Sequence, residues 1–257
     1  MKIGFIGTGH LTEAIVHGLF RLDSARPDSV LISPRNTERA RRLSEQFEPI
    51  VDIALDNQAV VDGSEIVCLA VRPQAAEAIL APLRFSTRHT VISFMAMLPL
   101  RRVQHLVVPA GRVVRAATLP YAAHAVGPSI LFPGGGDAEA LLRKIGTPVV
   151  TRDERELELL WVITAMMAPY FNLIEEITCW ASEQGMSRKV AGNFTVSMIK
   201  SLTMLCDDYQ DAEFGKLVAN AQTEGGINQQ ALELIREAGG FECFTDALEQ
   251  IRIRLGV

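Results

Sequence analysis

Cysteine is scarce in this chain: four in 257 residues, at Cys68, Cys179, Cys206 and Cys243. None forms a C-x-x-C pair or a zinc-finger spacing, so a disulfide scaffold and a structural zinc site are both excluded. Five histidines, His10, His17, His89, His105 and His124, show no ligand spacing, and no metal is expected. Aromatic residues are few, at 6%. Neither sign of charge dominates: the formal net charge is -5 and charged residues make up 21%. Without a basic excess there is no surface to neutralise phosphates, so a nucleic-acid partner is not expected. A disordered chain is excluded by an apolar content of 48%.

Long hydrophobic runs are also lacking. The longest, Leu159 to Ile174, spans about 24 Å as a helix, short of a hydrocarbon core of roughly 30 Å. Pro169 and Asn172 interrupt it. No secretory leader is expected, because Gly4, Gly7 and Gly9 break the apolar N-terminus. A cytoplasmic, reduced protein without a membrane anchor is therefore expected. The length suits one large or two medium domains.

What is present divides near residue 152. Before it, strands and helices alternate. Lys2–Ile6, Val30–Ile32, Ile66–Val71, Val91–Phe94 and Arg112–Arg115 read as strands. Helices are expected over Leu11–Leu22, with Leu11, Ile15, Leu19 and Leu22 apolar, over Asn36–Phe47 with Asn36 as N-cap, and after Pro73. The continuous run Ile66–Val71 suits a strand covered on both faces. The fold class expected for 1–152 is an α/β Rossmann-type, doubly wound parallel sheet. Residues 153–257 read as an all-α domain, with helices near 153–184, 187–207, 211–221, 228–238 and 241–254, the first interrupted at Pro169. Trp161, Met166, Met167 and Phe171 suit a surface that another subunit covers.

The chemistry starts at Gly7-Thr8-Gly9-His10-Leu11-Thr12, a glycine turn between the first strand and first helix. Gly7 suits the tight turn, and Gly9 lets the backbone approach a pyrophosphate at the helix N-terminus. Thr12 replaces the third glycine, so helix and strand are expected to pack slightly wider. The second strand ends in Ser33-Pro34-Arg35-Asn36 rather than in the acid that holds a ribose 2′-hydroxyl. Arg35 can pair with a 2′-phosphate, and Ser33 and Asn36 can donate to it, which predicts NADP(H) as cofactor.

These segments resemble the pyrroline-5-carboxylate reductase family over nearly the whole length. Gly4-Phe5-Ile6-Gly7-Thr8-Gly9 carries the match, with Leu69-Ala70-Val71-Arg72-Pro73 where the family reads A-V-K-P. The resemblance implies that Ala70, Val71, Arg72, Pro73 and Asn57 contact the cofactor. It also implies a homodimer through the helical domain, with larger assemblies of dimers left open. The family's S-P-G-G-T-T is matched by Thr223-Glu224-Gly225-Gly226-Ile227-Asn228. Gly225, Gly226, Ile227 and Asn228 then become candidate substrate-binding residues, the glycine pair forming an anion nest before a helix.

The implied activity is hydride transfer from NADPH to a cyclic imine, 1-pyrroline-5-carboxylate to L-proline, with Glu224, Thr223 and Tyr170 as candidate catalytic groups. The substrate side departs from the family. Ile227 replaces a threonine, Glu224 a proline, Ala117–Tyr121 the M-P-N-T-P loop, and Ile163–Pro169 the S-G-S-S-P-A-Y segment, with Tyr170 displaced by one. Reduction of another imine, with a pocket of Leu119, Tyr121, Glu224 and Ile227, and NADP(H) sensing without catalysis both remain open. A β-hydroxyacid dehydrogenase needs an early catalytic lysine, and residues 153–184 contain none.

Overall fold

The computed structural model describes residues 1–208 and 213–257. Its contacts divide the chain into two units, Met1–Leu160 and Trp161–Val257. The first unit alternates β1 (Lys2–Ile6), α1 (His10–Leu19), β2 (Ser29–Ile32), α2 (Thr37–Gln46), β3 (Val51–Ile53), α3 (Asn57–Asp62), β4 (Ile66–Leu69), α4 (Ala76–Leu80), β5 (Thr90–Ser93), α5 (Leu100–Leu106), β6 (Arg112–Ala117), β7 (Pro128–Phe132), α6 (Gly136–Arg143) and β8 (Thr147–Val150). The strands form one sheet in the order β3-β2-β1-β4-β5-β6-β7-β8. Neighbours are parallel except β6 and β7, which are antiparallel.

Two buried clusters, on opposite faces of the sheet, follow from the two-residue period of a strand. Ile3 and Phe5 of β1 and Ile66 and Cys68 of β4 belong to one cluster. Ile6, Val67 and Leu69 belong to the other. Both faces of β4 are therefore covered, which explains its unbroken apolar run. Burial pushes the Cys68 thiol well above its ordinary range, so it remains protonated.

Several boundaries differ from the sequence expectation. Helix α1 stops at Leu19, and Leu22 is left exposed in the turn that follows. Strand β4 stops at Leu69, so Ala70–Pro73 form the crossover rather than the strand end. The long helix breaks at a 3-10 turn, Thr164–Met166, between α7 (Glu154–Ile163) and α8 (Met167–Glu183). Pro169 sits in the first turn of α8, where its missing N–H has no helical acceptor to lose.

The second unit continues with α9 (Arg188–Leu205), α10 (Phe214–Asn220), α11 (Ile227–Glu237) and α12 (Glu242–Leu255). The first two residues of the helix expected over 211–221 lie outside the described residues. Helices α8 and α9 meet along a seam of small residues that includes the buried Thr178, Ala191 and Thr195. Among the described residues of this unit, only Val162 and Ala191 are buried hydrophobics. Phe171, Trp180, Phe194, Leu202 and Met204 are each more than half exposed. The stretch Glu154–Glu183 is long and apolar enough to cross a membrane by length and composition, and only 11% of its apolar window is buried within the chain. The sequence estimate, made on residues 159–174 alone, fell short of that length.

In the first unit, buried His89 generates a pH-dependent stability. Its Nδ1 accepts the Ser86 N–H at 3.0 Å, and the Arg88 guanidinium lies beside Nε2. Burial, then the Arg88 charge, lowers its pKa below the ordinary value. The folded protein thus favours neutral imidazole. The stability this confers is full above the unfolded pKa, about 6.5, and is lost as pH falls toward the lower folded value. We expect the melting temperature to drop between neutral and mildly acidic pH, and to drop less in His89→Gln. Equal pH dependence in the two proteins would exclude His89 as the source.

Candidate functional site

The site begins where β1 ends. Gly7 has φ +102°, and a Cβ there would lie 2.5 Å from the Ala70 carbonyl oxygen. Only glycine allows the turn to pass so close to the crossover after β4. Hydroxyls on three sides hold it. Gly7 N–H donates to Ser33 Oγ at 2.9 Å, the Thr8 hydroxyl donates to the Ser33 carbonyl at 2.7 Å, and the Thr12 hydroxyl donates to the Gly7 carbonyl at 2.5 Å.

Gly9 differs. Its φ is −97° and a Cβ would meet nothing within 4 Å. The protein itself leaves open the space over Gly9. Helix α1 has no side-chain cap, whereas Asn36 caps α2 and Asp56 caps α3. The uncapped N–H groups and open Gly9 surface, at the strand ends where β1 lies between β2 and β4, fit a dinucleotide pyrophosphate.

At the end of β2, Arg35 is exposed and makes no ion pair among the described residues. Asn36 Oδ1 accepts the Arg39 N–H at 3.3 Å, which leaves its NH₂ to donate outward. Ser33 is 1% exposed and its hydroxyl serves the Gly7 turn. It therefore supports the loop instead of donating to a phosphate as its sequence position suggested.

Arg39, which the sequence reading missed, belongs to the same cluster. Its guanidinium lies 3.3 Å from both ring nitrogens of His10, and its Nε lies 2.8 Å from Glu13. Glu13 also pairs with Arg42 at 3.3 Å. A second arginine one helical turn beyond Arg35 was the available signal. Leu11 packs against the core beneath, while His10 is exposed. Val71 and Pro73 are half-buried, Arg72 is exposed, and Asn57 opens α3 beside its cap Asp56.

In the second unit, Thr223, Glu224 and Ile227 are exposed. Gly225 has φ +70°, and a Cβ on Gly226 would collide with Thr223 Oγ1. Gly225 N–H donates to Gln229 Oε1 at 2.9 Å, and Gly226 N–H to the Thr223 carbonyl at 2.9 Å. The Asn228 amide donates to the Ala221 carbonyl at 3.0 Å. Both N–H groups of the glycine pair are thus bonded within the loop, while α11 begins without a side-chain cap. Tyr170 is 43% exposed on α8, near the Phe171 ring. In the first unit, Tyr121 is not a free pocket residue. Its hydroxyl donates to the Pro128 carbonyl at 2.7 Å and its ring covers Gly127. Burial raises its pKa. Among the described residues, no cluster of three or more His, Cys, Asp or Glu could hold a metal.

A doubly wound sheet with an open glycine turn, followed by a helical unit with little core of its own, defines a dinucleotide-dependent oxidoreductase of two-domain type. The comparisons with known proteins agree. Residues 2–97 match the family model described as NADP oxidoreductase coenzyme F420-dependent, and residues 157–255 match that for pyrroline-5-carboxylate reductase dimerisation. Pyrroline-5-carboxylate reductase 2 of Bacillus subtilis is 26% identical, covering 97% of this chain and 92% of its own. The Methanosarcina acetivorans pyrroline-5-carboxylate reductase is 26% identical, covering 96% and 94%. A crystal structure of 1-pyrroline-5-carboxylate reductase from Streptococcus pyogenes superposes with a TM-score of 0.86 at 20% identity, over 99% of this chain and 98% of that one. A reductive aminase from Aspergillus terreus gives 0.63 at 16% identity, over 99% and 92%. The chain is thus similar to pyrroline-5-carboxylate reductases over nearly its whole length, and its residues 157–255 match the model of their dimerisation domain.

Charge reversal at Arg35 tests the cofactor side. A charge-assisted contact contributes about 1.5–3 kcal/mol. Arg35→Asp should therefore raise KM for NADPH roughly ten- to a hundredfold, with little change for NADH. Unchanged selectivity in steady-state kinetics would remove Arg35 from the 2′-phosphate site.

Proposed function

We propose that this chain is an NADPH-dependent reductase acting on C=N, converting 1-pyrroline-5-carboxylate to L-proline as a homodimer. The observation that carries the reading is the glycine turn, built open over Gly9 and closed under Gly7, in a chain similar to these reductases over nearly its whole length. When bound, NADPH supplies the hydride. The residues suited to hold it are Gly7–Leu11 for the pyrophosphate, Arg35, Asn36 and Arg39 for the 2′-phosphate, and Asn57 and Ala70–Pro73 along the rest of the molecule. Ser33 acts through the loop.

On the substrate side, Glu224 balances the positive charge of an iminium nitrogen. The hydroxyls of Thr223 and Tyr170 are the candidate proton partners. A protonated iminium is already electrophilic, so no strong general acid is required. The relatives named pyrroline-5-carboxylate reductase support this substrate, and a neighbour solved with NADP bound supports the cofactor.

The dimer covers the second unit. A segment with so few buried hydrophobics cannot offset its own ordering entropy. We read the apolar stretch Glu154–Glu183 as subunit interface rather than membrane span. The stretch carries Glu175 and Glu176, and Glu175 forms a two-pronged pair with Arg188 at 2.5 and 2.6 Å. Cytoplasmic placement accords with this reading.

NADPH absorbance should fall on addition of 1-pyrroline-5-carboxylate, and proline should accumulate in equal amount. Tight NADPH binding with no oxidation would instead make the protein a cofactor-binding module. Sedimentation should give twice the chain mass of 28.2 kDa. The melting temperature should rise with protein concentration. A concentration-independent monomer would reject the dimer.

A further inference from the structure

The first turn of α1 carries a charge of the wrong sign for an anion. Glu13 lies there, in the same turn as the uncapped N–H groups that suit a pyrophosphate. A lone carboxylate at this place would disfavour bound phosphates. Glu13 is not alone. It lies 2.8 Å from Arg39 Nε and 3.3 Å from Arg42 Nη2, so one acid ties two arginines of α2 to α1. Two arginines against one acid leave the cluster net positive. Arg39 is the more firmly held. Its side chain is 15% exposed, against 52% for Arg42. Its backbone N–H donates to Asn36 Oδ1 at 3.3 Å, and its Nη2 lies 3.3 Å from both ring nitrogens of His10. One side chain therefore bridges the start of α2 and the start of α1. A guanidinium is a rigid plane of five N–H donors. With Nε turned to Glu13, the direction of its Nη edge is set, toward the exposed His10.

We propose that Glu13 is a positioning residue for the 2′-phosphate of NADPH, acts through Arg39, and thereby sets the preference for NADPH over NADH. The inference rests on the assignment above of Arg35, Asn36 and Arg39 to the 2′-phosphate. An untethered arginine has many rotamers, and ordering it on a ligand weakens binding by the entropy lost. The ion pair with Glu13 does that ordering in the folded protein, before the cofactor arrives. Two effects of Glu13 thus oppose each other. Its charge repels a phosphate, and its hold on Arg39 favours one. The repulsion is offset by the two arginines and screened by salt over about 8 Å. The positioning is not screened, so it dominates. NADH, which has no 2′-phosphate, gains nothing from it.

The test measures Kd for NADPH and for NADH by fluorescence titration of the full-length protein, in the wild type, Glu13→Gln, Arg39→Ala and the double variant. Glu13→Gln should raise Kd for NADPH about three- to tenfold and leave that for NADH within about twofold. Arg39→Ala should raise Kd for NADPH about tenfold or more. In the Arg39→Ala background, Glu13→Gln should weaken NADPH no further. Tighter NADPH binding by Glu13→Gln would overturn the inference, because charge repulsion would then be the larger effect. Equal weakening of both cofactors would also overturn it, leaving Glu13 as a support of α1 through the helix dipole. An undiminished effect of Glu13→Gln without Arg39 would overturn the route through that arginine. Equal affinity of the wild type for NADPH and NADH would overturn the 2′-phosphate assignment itself, and this inference with it.

Discussion

The close passage of the Gly7 turn beneath the Ala70 carbonyl constrains the whole cofactor end of the first unit. A Cβ at Gly7 would lie 2.5 Å from that oxygen. Any side chain there would push β1 and the β4 crossover apart, and the two strands flank the crevice in which such sheets bind ligands. The neighbouring hydroxyls are arranged around this one approach. Ser33 comes from the end of β2 and reaches back to the Gly7 N–H, so the second strand is tied to the same turn. Thr12, in place of the fingerprint's third glycine, is fully buried and donates to the Gly7 carbonyl. A hydrogen bond from α1 thus joins helix and turn at the position where small size would otherwise serve.

The alternation of β1, β2 and β4–β6 with helices was legible because these strands lie inside the sheet and read as apolar runs. Strands β3, β7 and β8 were not. Strand β3 is three residues long with only Val51 buried, and β8 is mostly exposed, so neither carries a clear period. Strand β6 hides a feature that no pattern announces. Arg115 is 0% exposed within it, and its guanidinium is held by Glu154 and by Glu158 at 2.8 Å. Glu154 also accepts the Leu100 N–H at 2.5 Å. One carboxylate therefore joins β6 to the start of α5 and to α7. An arginine in a strand reads as an edge or solvent residue until the acids 39 and 43 residues away are placed beside it.

The site was legible to different depths for a related reason. The close turn at Gly7 and the open surface at Gly9 are legible in spacing alone, because they depend on backbone geometry, and the role proposed for Arg35 rests on its charge. The direction in which a side chain points does not appear in spacing. Ser33 could have faced a ligand or the turn, and it faces the turn. Tyr121 could have faced a pocket, and it closes over Gly127. The glycine pair before α11 has the form of an anion nest, but Gln229, one turn into the helix, supplies the acceptor.

The second unit raises a different constraint. Its helices are well formed, yet they surround almost no core of their own, and the apolar groups face outward. Burial of apolar surface contributes about 25 cal/mol per Å², and exposed phenylalanine, tryptophan and leucine side chains contribute nothing until covered. Ordering the unit costs backbone and side-chain entropy whether or not they are covered. The helices can remain ordered only when another surface removes those faces from water. In a homodimer that surface is the same unit of a second copy, self-complementary about a twofold axis. The loop from Thr223 to Asn228 is carried on this unit, so its order, and the orientation of Glu224 and Ile227, are linked by mass action to subunit association.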